Sequence, residues 1–246
     1  MTAIRTARQR ARDEVTRTIK DEARRRLAAD GAAKLSLRAV ARELGMVSSA
    51  LYRYFPSRDE LLTALIVDSY NALGDAVDEA LERRADADPC ARWVGVCHAA
   101  RRWALAHPHE YALLYGTPVP GYAAPDDTMV PGVRLPLALT VIVREADRAG
   151  RLGPPEGGPL PDEVREDLAP LTVEQVPGLS PETLAAVLAA WAQLLGLVST
   201  ELFGQFNGAV TARERFFEHA ATRLGRSVGL PPPTGERTGE PTTGSD

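Results

Sequence analysis

The sequence predicts an all-α protein: an amino-terminal three-helix domain built on a helix-turn-helix, followed by a larger helical domain. Three observations carry that expectation. Apolar residues recur every three or four positions through most of the 246 residues. Capping residues open several of these stretches, and glycine or proline closes them. Residues 36–62, SLRAVARELGMVSSALYRYFPSRDELL, read as two short helices joined by a glycine turn and then the start of a longer helix.

Residues 1–8 form a basic arm without apolar periodicity, expected to be mobile. From residue 10 to 29, Val15, Ile19, Ala23 and Leu27 recur every four positions, an apolar stripe on an otherwise charged helix. Ser36 is placed to cap the next helix, whose Leu37, Val40, Ala41 and Leu44 share one face. Gly45 ends it, since glycine tolerates the left-handed backbone that closes a helix. A second short helix follows over residues 47–54, with Ala50 and Leu51 inward. Val47, Ser48, Ser49, Tyr52, Arg53 and Tyr54 then remain to meet a DNA groove, with Arg38 approaching from the preceding helix and Arg58 binding phosphate. Pro56 stops this helix, and Ser57 with Glu60 forms a capping box for the next.

The order and spacing of Val40-Ala41, Leu44-Gly45, Leu51-Tyr52, Tyr54-Phe55, Ser57-Arg58 and Leu61-Leu62 resemble the DNA-binding domain of the TetR/AcrR family of transcriptional regulators, over roughly residues 12–66. The resemblance implies a homodimer that reads a palindromic operator and is released from it by a small molecule. The charge distribution agrees with DNA as partner. Residues 1–60 hold 14 Lys+Arg against 8 Asp+Glu, whereas the rest holds 15 against 25, within a net charge of −4.

Beyond the helix-turn-helix domain of residues 9–56, a ligand-binding and dimerisation domain is expected over residues 57–229. Its first helix, residues 57–84, carries Leu61, Leu65, Val67, Leu73, Val77 and Leu81. Asp88-Pro89 opens a helix running through Trp93, Cys97 and Trp103 to His107, and residues 108–115 add a short one. Residues 117–132, with four prolines and two glycines, are expected to be irregular. A helix resumes over residues 133–149. The insert at residues 153–179 has six prolines and six acidic residues against one arginine; a short helix near residues 162–168 is compatible with it. Ser180 opens a long helix to residue 206, and Thr211 with Glu214 forms a box opening the last helix to residue 228. Residues 230–246 read as a disordered tail.

The helix from residue 181 is apolar on nearly every side, so a second subunit should cover part of it. Ala185, Ala189, Ala192 and Gly196, with Phe216, Phe217, Ala220 and Leu224 of the last helix, are the expected interface. Family members pack their last two long helices against the partner's. Glu201 in this helix is either a buried carboxylate paired with Arg101 or Arg215, or a residue on a polar edge. Trp93, Cys97, Trp103, Tyr111, Leu114, Tyr115, Ile142, Trp191 and Leu195 form an aromatic-rich set, read as a chamber for an apolar or aromatic effector or, residue by residue, as ordinary core. The region resembles a subgroup of the family with a tryptophan, histidine and glycine signature in this helix; here Leu195 stands before Gly196, where that histidine is expected.

Cys90 and Cys97 lie two helical turns apart, ~10.5 Å of rise, too far for a disulfide. A redox pair would need another chain or a large rearrangement. His98, His107, His109 and His219 are the only histidines. No Glu-x-x-His pair or phosphate-cradling glycine loop occurs, so no metal, cofactor or enzyme activity is expected. The alternatives are a helical sensing module without DNA binding, or an all-α enzyme acting on an apolar substrate. Lacking an amino-terminal apolar run and any stretch of about 18 uninterrupted apolar residues, the chain is expected in the cytoplasm, without a membrane partner.

Overall fold

The computed structural model describes residues 2–232; residue 1 and most of the expected tail, from residue 233, lie outside the described residues. Among them there are helices and no strands. The helices are α1 Thr2–Asp30, α2 Leu37–Glu43, α3 Ser48–Leu51, α4 Arg58–Arg83, α5 Pro89–Ala106 and α6 Pro108–Tyr115. After them come α7 Met129–Gly132, α8 Arg134–Arg148, α9 Asp162–Glu174, α10 Pro181–Leu202 and α11 Arg213–Ser227. By compactness the chain divides into two units: Met1–Asp75 with Trp103–Arg134, and Ala76–Arg102 with Leu135–Asp246. The divisions fall inside α4 and α5 and at the start of α8, so α4 and α5 each contribute residues to both units.

The first unit grows from the stripe on α1. Ile19 and Ala23 have no exposed surface, and they meet Leu37, Val40 and Ala41 of α2, Leu51 of α3, and Leu61, Leu62 and Leu65 of α4. Each leucine so buried contributes about 1.5–3 kcal/mol. Leu113 of α6, with Val119 and Tyr122 after it, packs on this core, and Tyr122 Oη lies 2.9 Å from Thr63 Oγ1. Asp68 of α4 accepts from Lys20 Nζ at 2.9 Å and Arg24 Nη2 at 2.7 Å. These pairs are partly exposed, so each adds at most about 1 kcal/mol.

In the second unit α10 packs between α9 and α11. Trp93 of α5 is fully buried, and its indole N–H donates to the Ala221 carbonyl of α11 at 3.1 Å. Asp88 caps α5 through the Ala91 N–H at 2.9 Å, and Ser180 caps α10 through the Thr183 N–H at 3.1 Å, both as the sequence implies.

Other element boundaries depart from expectation. The first helix begins at Thr2, not near residue 10, because its first three turns hold no glycine or proline and are rich in the good helix formers alanine and arginine. Ser36 occupies the cap of α2, yet its side chain makes no cap bond. The second helix is one turn, with residues 52–54 in a tighter turn after it. Residues 117–132 hold a 3-10 turn at Asp126–Thr128 and the single turn of α7. The helix in the proline-rich insert runs 13 residues and continues through Pro170. Thr211 caps nothing: α11 starts at Arg213 after Ala212, and Glu214 turns instead to Arg101.

Candidate functional site

The turn between α2 and α3 has a defined chemistry. Gly45 sits at φ 64°, its N–H donates to the Arg42 carbonyl at 3.2 Å, and the Met46 N–H donates to the Ala41 carbonyl at 2.8 Å. These paired bonds satisfy two carbonyls left over at the end of α2, and only a residue at ease in left-handed backbone makes them without strain. The chain thereby reverses at once into α3. Leu51 is fully buried and anchors it, so the opposite side faces outward.

On that outer side Val47 is 70% exposed and Tyr52 42% exposed. Ser49, Arg53 and, from α2, Arg38 are exposed as well, while Ser48 and Tyr54 are half-buried. The surface offers a methyl pair, hydroxyls, a phenol and guanidinium groups, the inventory that reads thymine methyls and base-edge acceptors in a major groove. Arg58 is differently placed. Its Nε donates to the Leu35 carbonyl at 3.1 Å, and its Nη2 to the Ala32 and Ala33 carbonyls at 3.0 and 3.2 Å. Its Nε and Nη2 groups are thus spent on holding the α1–α2 connection to the start of α4, and Nη1, 3.8 Å from Asp59, is the part of the guanidinium not used there. Arg12, not singled out from the sequence, does touch this surface: its Nη2 donates to the Arg53 carbonyl at 3.3 Å, and its guanidinium carbon lies 5.3 Å from the Tyr54 ring centroid.

The nine residues of the expected effector chamber fall in both units. Trp103, Tyr111, Leu114 and Tyr115 belong to the first; Trp93, Cys97, Ile142, Trp191 and Leu195 belong to the second. Trp93, Cys97 and Ile142 have no exposed surface, and Trp93 is fastened to α11. That is the behaviour of packed core. Burial also holds the Cys97 thiol far above its ordinary range, so it stays protonated; neither cysteine is in a disulfide. In the first unit the Tyr111 and Tyr115 rings lie 5.2 Å apart and Tyr70, unforeseen, meets Tyr115 edge-on at 6.0 Å. His107 stacks on Trp103 at 5.3 Å. Among the described residues, the buried Tyr115 hydroxyl and the indole nitrogens of Trp103 and Trp191 have no hydrogen-bond partner.

On the expected dimer face, Ala189, Ala192, Gly196 and Phe216 are exposed, and Ala185 and Ala220 half-buried. Gly196, Phe216, Ala220 and Leu224 share an open groove of about 860 Å³ along α10 and α11. Phe217 departs from this: it is 2% exposed, lies 5.1 Å beneath the Arg101 guanidinium and meets the His98 ring edge-on. Position 217 points about 100° away from position 216 on the helix, and in this chain that direction is toward Arg101 and His98.

Arg101 is the electrostatic centre of the second unit. Its Nε and Nη2 donate to both oxygens of Glu201 at 2.6 and 2.7 Å, and its Nη1 to Glu214 at 2.6 Å. The bond to Glu201, then that to Glu214, holds the guanidinium above its ordinary value, and Arg101 holds Glu214 below the usual carboxylate range. Of the two cations considered for Glu201, Arg101 is the partner. His98 lies 3.7 Å from Glu214, and burial pushes its imidazole below the usual value despite that carboxylate.

Comparison with known proteins decides what this architecture is. Residues 19–65 match the model of bacterial regulatory proteins of the tetR family, and residues 93–224 match the tetracyclin repressor-like C-terminal domain. The chain belongs to the tetR family. An HTH-type transcriptional regulator of Mycobacterium tuberculosis is 37% identical to this tetR-family chain over 224 residues, 88% of the chain and 93% of the relative. A regulatory protein of known crystal structure superposes with a TM-score of 0.69 at 36% identity, covering 88% of this chain and 97% of its own. RolR, solved in complex with the ligand resorcinol, shares the fold at a TM-score of 0.50 and 16% identity, covering 92% of this chain and 98% of its own.

As a tetR-family member the protein is a helix-turn-helix transcriptional regulator and not an enzyme. The matched amino-terminal segment spans the buried faces of α1 to α4 that hold Gly45 and Leu51 in place. Its limits leave out the first 18 residues, in which Arg12 lies; the sequence signal there is the phase of the arginines along the helix.

Proposed function

We propose that the protein is a cytoplasmic, homodimeric repressor that reads a palindromic duplex with the exposed side of residues 47–53 and leaves it on binding a small apolar or aromatic effector. One observation carries the reading: Val47, Ser49, Tyr52 and Arg53 are all exposed, on a one-turn helix and the residues flanking it, while Leu51 on its reverse side is buried. Uncovered valine and tyrosine beside hydroxyls and guanidinium groups gain most where thymine methyls and base edges meet them. Arg38 joins this set, Ser48 and Tyr54 flank it, and Arg58 braces it. Residues 9–56 are the reading head and residues 57–229 the ligand and dimer domain.

A dimer is supported by α10. Its most apolar 18-residue window has a mean hydropathy of 1.6, yet only 33% of that window is buried within the chain. Length and composition alone would also suit a membrane, but α10 is packed by α9 and α11, and the groove they leave is the surface a second copy would fill. The two reading helices of a dimer must then sit about one DNA turn apart, ~34–36 Å. An effector that prefers the state with a different spacing by ~10⁴-fold switches the regulator nearly completely. Trp103 and Tyr115, both of the first unit, support an effector that brings polar atoms on an aromatic or apolar body, because it would satisfy groups now without partners. RolR, crystallised with resorcinol, is a fold relative whose ligand is of that kind.

The test is selection of duplexes from a random pool, followed by anisotropy titration and sedimentation of the complex. Strong preference for a symmetric site by a dimer is the expected result. Equal affinity for selected and shuffled duplexes, or binding as a stable monomer, refutes the proposal.

A further inference from the structure

Along α1, residues 7–14 have no core to pack against. Residues 7–14 are all exposed, and the apolar stripe starts only at Val15. At 100° per residue, Val15, Ile19, Ala23 and Leu27 span an arc of about 120° on the helix. Arg8 and Arg12 fall inside that same arc, while Asp13 and Glu14 fall outside it. The face that binds the helix-turn-helix core therefore continues past the core as arginine. Arg5 holds the next position of the spacing in the sequence.

Where that face leaves the core, it meets the reading element. Arg12 touches the Arg53 carbonyl and lies against Tyr54, so the arginine stripe begins at the edge of the proposed DNA surface. Arg8 is one further turn along the helix, ~6 Å of rise, and exposed. Arg12 gains one bond and a ring contact from the fold, whereas Arg8, exposed at core-facing phase, lies beyond the core. It gains from a polyanion lying across the end of α1, and the duplex that occupies the adjacent reading surface has its phosphates there.

We propose that the amino-terminal turns of α1 are a second DNA-contacting element, with Arg8 and Arg12 binding the phosphodiester backbone beside the groove entered by α3. The inference rests on the DNA-reading assignment of residues 47–53. Its contribution is sequence-independent affinity: phosphate contacts set register and strength, and leave base choice to the reading surface.

The experiment uses the full chain and two duplexes, one selected with the wild type and one shuffled, titrated by anisotropy between 50 and 200 mM salt. Arg8→Ala, Arg12→Ala and the double variant are compared, with circular dichroism and melting confirming the wild-type fold. Each arginine removed should lower the slope of log affinity against log salt by about 0.9, so that the wild type loses ~3.5-fold more affinity per arginine than the variant over this range. Both duplexes should weaken by the same factor, with the selected sequence unchanged. Arg8→Ala is decisive because Arg8, unlike Arg12, does not brace residue 53. A wild-type slope in Arg8→Ala overturns the proposal, and so does a loss confined to the selected duplex. Failure of the reading-head assignment looks different: the wild type would then not discriminate the two duplexes at all.

Discussion

Replacing Arg101 by methionine removes one guanidinium and strands one carboxylate, and the two consequences differ in size. Glu201 is 7% exposed and receives two of the arginine's N–H groups. Left alone it is a buried charge without a counterion, which costs about 3–5 kcal/mol. Glu214 has a side chain 72% exposed, so it returns to water and loses no more than about 1 kcal/mol. The stacked contact with Phe217 is largely kept by a methionine thioether. Arg101→Met should therefore lower stability by about 3–5 kcal/mol, or roughly 6–20 °C in melting temperature at about 2–4 °C per kcal/mol. The double change Arg101→Met, Glu201→Leu removes both buried charges and should recover most of that loss, since a buried pair swapped for apolar groups is often neutral or stabilising. The assay is urea unfolding followed by circular dichroism at one fixed protomer concentration, because association would link stability to concentration. A loss under 1 kcal/mol in the single variant, or a double variant as unstable as the single, refutes the reasoning.

Burial keeps His98 less protonated in the folded chain than in the unfolded one, so stability should fall as pH drops below about 6.5; His98→Asn should flatten the melting profile between pH 7.5 and 5.5. A Cβ on Gly225 would come within 3.1 Å of Trp93 Cδ1, and Trp93 has no room to move; Gly225→Val should cost about 1–3 kcal/mol in the same unfolding assay. At Gly196 an added Cβ meets no atom of its own chain within 4 Å, so Gly196→Trp should leave the fold's helicity intact and shift sedimentation toward monomer. Tyr115→Phe should weaken any effector found by screening that carries a polar group, and leave purely apolar binders unchanged, as read by tryptophan fluorescence.

Helix periodicity made most of the fold legible. Val15, Ile19, Ala23 and Leu27 announce the buried side of α1, and Gly45 announces the turn, because local spacing and local backbone chemistry determine both. Caps were legible only where no distant group competed. Asp88 and Ser180 bond their own helix starts, whereas Glu214, expected in a local capping box, is claimed by Arg101 more than a hundred residues earlier. The same limit applies to Arg58: its position at a helix start is legible, but not the three carbonyls that folding brings to its Nε and Nη2. That Glu201 in an apolar helix would need a cation follows from the cost of a bare buried carboxylate; which arginine supplies it does not. Trp93 and Trp103 are alike in sequence, yet one indole N–H finds the Ala221 carbonyl and the other finds nothing. Core and chamber aromatics therefore look the same until the tertiary partner is known.

Arg8 and Arg12 belong to the opposite class, a signal present in the sequence that composition conceals. Counted as charge they are two of 14 basic residues in a basic segment. Counted as phase they fall on the arc that Val15, Ile19, Ala23 and Leu27 occupy later; Arg26 shares Arg8's phase beside the core, but there its guanidinium is held by Glu22 and Glu43, whereas Arg8 is exposed. The point along α1 at which arginine gives way to valine therefore marks the edge of the hydrophobic core. At that edge the helix passes beside the reading surface, at Arg53 and Tyr54. The partner that would make those arginines favourable is thus external and anionic, which is why the salt slope, and not stability, is the quantity that should respond when Arg8 is removed.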